Sequence, residues 1–140
     1  MKNDRLKQRL LLILILGEMI FILNSCIPPR NSIFDVRDLT IERKSNGYLI
    51  CLSANKHIEG IEAFISKSNW LIITIANASM DMNKVRSLKP VGIIQKIEID
   101  KFESSVQLSM KLSEKGGRVE VVHDPETNDI FVDLFTSSKN

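Results

Sequence analysis

The chain has 140 residues, room for one domain and little else. It carries 19 Lys+Arg against 17 Asp+Glu; residues 1–25 hold Lys2, Arg5, Lys7 and Arg9 against Asp4 and Glu18, so the part from Cys26 onward balances at 15 against 15. A neutral domain without a basic stripe excludes phosphate-driven binding of nucleic acid, and two cysteines and two histidines scattered singly give no metal-ligand spacing and no cofactor signature.

In chain order, residues 1–9 form a basic stretch and Leu10 to Leu23 an apolar one, interrupted by Gly17 and Glu18. The apolar stretch is shorter than the roughly 20 residues a spanning helix needs, as in the h-region of a signal peptide. Glu18 costs on the order of a few kcal/mol at a membrane helix centre. The run Leu10-Leu11-Leu12-Ile13-Leu14-Ile15-Leu16 offsets it. Leu23-Asn24-Ser25-Cys26 then resembles the lipobox of bacterial lipoproteins: an aliphatic residue three before the cysteine and a small one just before it. The resemblance implies a leader over residues 1–25, a signal helix cut before Cys26, and a diacylglycerol on the Cys26 thiol. Anchoring through two or three acyl chains is effectively stable, whereas one chain is marginal. An aspartate after the cysteine would imply retention at the inner membrane; Ile27 points instead to the outer membrane in an organism that has one.

Residues 26–32 read as the lipidated cysteine and a stiff tether, because Pro28-Pro29 continues neither strand nor helix. From residue 33 to 136 period two dominates. Val106, Leu108, Met110 and Leu112 alternate with Gln107, Ser109 and Lys111, the clearest half-buried strand. Ile130, Val132 and Leu134, then Val119 and Val121, then Ile93, Ile97 and Ile99 repeat the pattern, more weakly also Val36 to Ile41. Tyr48 to Ala54 and Trp70 to Ala76 are continuous apolar runs, expected as central strands covered on both faces. Asn46-Gly47, Ser66 to Asn69, Lys115-Gly116-Gly117 and Asp124 to Asp129 are the turns. Asp81 to Leu88 is the one helix candidate, but it lacks a clean apolar stripe and reads as a loop with room for a turn, and residues 137–140 read as a tail. The expected fold is all-β: a small antiparallel β-sandwich of seven or eight strands.

Chemistry-bearing residues are sparse. His57 and His123 stand alone, no Gly-x-Ser-x-Gly elbow surrounds any serine, and no glycine-rich phosphate loop is present. Glu98 and Asp100 share a strand face opposite Lys101, a solvated edge rather than an acid/base pair. Cys51 in an apolar run reads as a buried small hydrophobe. Trp70 and Tyr48 read as core packing in preference to a sugar-stacking platform. No enzyme is expected.

The order of segments resembles the AMIN domain, an all-β module of cell-envelope proteins found beside peptidoglycan amidases and in secretins. The resembling span runs from Ile33 to Phe135. Its carriers are Val36 to Ile41, Gly47-Tyr48-Leu49-Ile50-Cys51-Leu52, Asn69 to Ile75, Gly92 to Ile99, Ser105 to Leu112, Arg118 to Val122 and Asp129 to Leu134. Thr74 or Asn77 stands where the family usually has an aspartate, and Ser105 where it has an arginine. The resemblance implies a non-catalytic localisation or binding module that engages peptidoglycan or an envelope partner. Joined to the lipobox, it gives a lipid-anchored module facing the periplasm. The alternative is a pilotin-like accessory lipoprotein that braces a secretion or pilus assembly.

Overall fold

The alternation in the sequence becomes eight antiparallel strands in the computed structural model, which describes residues 35–136. The leader, the lipobox residues Leu23, Asn24 and Ser25, Cys26, the tether and the tail at 137–140 lie outside the described residues. In chain order the elements are β1 (Val36–Lys44), β2 (Gly47–Ala54), β3 (Ile61–Ile65), β4 (Trp70–Ala76), a one-turn helix α1 (Met82–Arg86), β5 (Ile94–Lys101), β6 (Ser105–Leu112), β7 (Gly116–His123) and β8 (Ile130–Thr136). They form two four-stranded sheets, ordered β1-β2-β8-β7 and β3-β4-β6-β5.

The core lies between the sheets and follows from strand parity. Ile50 and Leu52 of β2, Ile130 and Val132 of β8, Leu71, Ile73 and Ile75 of β4, and Leu108 and Met110 of β6 are all fully buried. Each such side chain removed from water contributes about 1.5–3 kcal/mol before conformational entropy is charged against it. The two continuous apolar runs are central strands as expected: β2 lies between β1 and β8, and β4 between β3 and β6. They are not covered on both faces, however. Alternate residues are only half-buried, so Leu49, Cys51, Trp70 and Ile72 face away from the core.

The flanks explain how a sandwich this small avoids open edges. β3 packs against β7, the edge strand of the other sheet, and a Cβ on Gly116 would come within 2.6 Å of Ile65 Cδ1, so the two edges meet where glycine leaves room. On the opposite side α1 packs against both β1 and β5. The one helix candidate of the sequence, read there as a loop, is a short helix. Asp81 caps it by accepting the Asn83 N–H at 3.0 Å, and Val85 is its buried residue. A single apolar residue leaves no periodicity to read, and contact with the two edges holds the turn in place. Three of the four edge strands carry register shifts: β1 between Val36 and Asp38, β5 between Ile94 and Lys96, β7 between Gly116 and Arg118. Bulges of this kind blunt an edge against strand addition.

Candidate functional site

Because Leu71, Ile73 and Ile75 point into the core, Trp70, Ile72 and Thr74 must stand on the outer face of the β3-β4-β6-β5 sheet. The register sets their neighbours. Trp70 lies opposite Lys111, which lies opposite Lys96. Phe64, Ile72, Ser109 and Glu98 form the next row, and Glu62, Thr74, Gln107 and Asp100 the one after. The face thus carries an aromatic and apolar patch beside hydroxyls and an amide, with charges at its margins.

Local structure fixes the tryptophan. The turn before β4 closes with the Ser66 N–H donating to the Trp70 carbonyl at 2.8 Å and the Trp70 N–H donating to Ser66 Oγ at 3.1 Å. Asn69 supplies the left-handed conformation the turn requires, with φ of 59°. Lys111 Nζ sits 5.5 Å from the Trp70 ring centroid, and the same ammonium donates to the Ser68 carbonyl at 2.6 Å. The cation braces the half-buried ring. Gln107 Nε2 donates to Ser109 Oγ at 3.1 Å, and Phe64 is 49 % exposed. A flat plate flanked by an amide, hydroxyls and carboxylates suits a ligand with one apolar C–H face and a rim of hydroxyls, as a pyranose ring has.

Tyr48 and Trp70 therefore part company. Tyr48 is core as expected, 5 % exposed, whereas Trp70 is not. The polar Thr74 marks the outward parity of β4, and counting back from it by twos reaches Ile72 and Trp70; that signal was present in the sequence but masked by the apolar run. Cys51 is likewise outward and half-buried rather than a core residue. Burial, with Asp129 next in effect, pushes its thiol pKa up, away from nucleophilic character. The two histidines that stand apart in sequence come together, with ring centroids 5.9 Å apart. Glu98 and Asp100 share the outer face as expected, and Glu98 is ion-paired with Lys96. Among the described residues no group of three or more His, Cys, Asp or Glu side chains could hold a metal ion, and no helix is long and apolar enough to cross a membrane.

The family model of the AMIN domain matches residues 38–134, from β1 through the core strands to β8. The chain belongs to the AMIN-domain family. No curated protein matches it. AMIN domains are non-catalytic, peptidoglycan-binding modules of the bacterial periplasmic envelope. The all-β sandwich and the expected family are thus both found.

Proposed function

We propose that this protein is a lipid-anchored binding module that holds peptidoglycan through the outer face of the β3-β4-β6-β5 sheet. The observation that carries the reading is the placement of Trp70, braced by Lys111 and backed by Ile72, with Gln107, Ser109 and Thr74 beside it. Stacking of sugar C–H faces on Trp70 supplies apolar contact, and the neighbouring amide and hydroxyl groups read the ring substituents. Leader cleavage before Cys26 and acylation of its thiol tether the domain to the membrane, the outer one where two are present, through residues 26–32. The module brings no catalysis; it keeps its membrane and the glycan layer together. Cosedimentation with purified peptidoglycan sacculi tests this. Trp70→Ala should weaken binding roughly tenfold or more, while Val122→Ala, on the outer face of the other sheet, should leave it unchanged. Equal sedimentation of wild type and Trp70→Ala would sink the assignment.

A second reading, a pilotin-like accessory that braces a secretion or pilus assembly, draws on that other face. There Cys51, Phe131 and Val122 lie in one cross-strand row, and Val122 is 50 % exposed. Envelope proteins crosslinked at Val122, with no sedimentation on sacculi, would favour it.

A further inference from the structure

At the end of the sheet, beyond Ala76 and Ser105, the last paired residues of β4 and β6, lies a cleft of about 460 Å³. Its walls are the β5–β6 hairpin tip, Lys101 to Ser105, and the segment leaving β4, Asn77 to Ser79. Both walls are fixed. The Asn77 N–H donates to the Ser104 carbonyl at 2.7 Å, and the Phe102 N–H closes the hairpin on the Ser105 carbonyl at 2.8 Å. Asp35 clamps the other wall, accepting the Ser79 N–H at 2.8 Å and its hydroxyl at 3.1 Å, with Lys56 on the same carboxylate at 2.9 Å. A cleft bounded in this way is formed before any ligand arrives.

Its lining carries one charge of each sign. Lys101 and Glu103 stand two residues apart on one tip, yet neither forms an ion pair among the described residues, with each other or with anything else. Between them Phe102 is 54 % exposed. A simple anion would meet Glu103 and a simple cation would meet Lys101, so neither suits the cleft. A group carrying both a carboxylate and an ammonium satisfies the two together, with its aliphatic part against Phe102. From Trp70 to Ala76 the sheet runs about 20 Å at roughly 3.3 Å per residue, so a ligand that fills both the face and the cleft is extended and changes chemistry along its length.

We propose that this cleft receives the peptide stem of peptidoglycan, Lys101 and Glu103 bracketing a stem residue that has a free carboxylate and a free ammonium. The proposal rests on the glycan reading above for its ligand, but its residues are different ones. The experiment uses the full chain in detergent micelles and three probes: a peptide-free disaccharide, the disaccharide bearing its stem peptide, and the stem peptide alone. The stem-bearing probe should bind about tenfold tighter than the peptide-free one, the combined worth of two solvent-exposed charge contacts. Lys101→Ala and Glu103→Gln should each remove a share of that gain, and together all of it, and leave affinity for the peptide-free disaccharide unchanged. Acetylating the ammonium should remove the Glu103 share in wild type, and Glu103→Gln should then add no further loss. Equal affinity for the two sugar probes, or a gain that survives both substitutions, overturns the proposal. If neither sugar engages Trp70 but the free peptide binds and Lys101→Ala abolishes that binding, the cleft assignment stands and the glycan face falls.

Discussion

The Ile93 backbone N–H donates to the Tyr48 hydroxyl at 3.1 Å, a bond from the chain entering β5 of one sheet to a core side chain on β2 of the other. Gly92 makes room for it. Its φ is +56°, and a Cβ there would overlap the Tyr48 hydroxyl oxygen. Tyr48→Phe should cost about 1–3 kcal/mol, because the Ile93 N–H loses its partner inside the protein. Gly92→Ala should cost at least about 2 kcal/mol, from the left-handed backbone and the overlap together. The double variant should fall short of the sum, since Phe removes the atom that Ala strikes. Urea midpoints of the three variants check this, and strict additivity would mean that the two residues do not meet.

Strand β6 offers a test of parity. Leu108 is fully buried, so Leu108→Ala should cost roughly 2–5 kcal/mol. Gln107, facing outward and half-buried, should lose no more than about 0.5 kcal/mol on change to alanine. Ser109 also points outward, yet it is 7 % exposed and accepts from Gln107, so Ser109→Ala should fall between the two. Coincident denaturation midpoints for Leu108→Ala and Gln107→Ala would overturn the register.

Asp35 gives a pH signature. Lys56, then the Ser79 N–H, holds its carboxyl below the ordinary value of 3.8, against the opposing effect of burial. A carboxylate whose pKa is lower folded than unfolded adds stability above the unfolded value and loses it as pH falls through the folded one. Asp35→Asn, which keeps an oxygen to accept from Ser79 but loses the charge, should therefore cost no more than about 1 kcal/mol at neutral pH, because the Lys56 pair is exposed. The gap between variant and wild type should close below pH 3.8. A difference that stays constant across that range would show that the charge plays no part.

Much of this molecule was legible in its sequence because a sandwich strand writes its parity in alternate residues. Val106, Leu108, Met110 and Leu112 point inward as the pattern demands. The pattern fails where geometry changes within a strand or where two faces look alike. In β5 the register shift between Ile94 and Lys96 changes parity, so Ile94 joins Ile97 and Ile99 on the inner side although Ile93 shares their odd numbering. In β4 both faces are apolar, and Trp70 passes for core. The cleft could not be read at all, since it depends on Asn77 meeting Ser104 and Asp35 meeting Ser79 across long stretches of chain.

Anchoring is the prediction that the sequence alone motivates. Cys26→Ala should abolish incorporation of labelled palmitate and leave the leader uncut. Labelling of the variant at the wild-type level would place the lipid elsewhere or remove it from the account.

Trp70 is the chain's single tryptophan, so its fluorescence reports on the proposed glycan face. Titrating the full chain in detergent with purified soluble glycan strands should produce a saturable blue shift and a change in intensity as sugar rings displace water from the indole. The midpoint should agree with the affinity measured by sedimentation. Emission that stays unchanged while the protein sediments with peptidoglycan, together with undiminished binding by Trp70→Ala, would contradict the account.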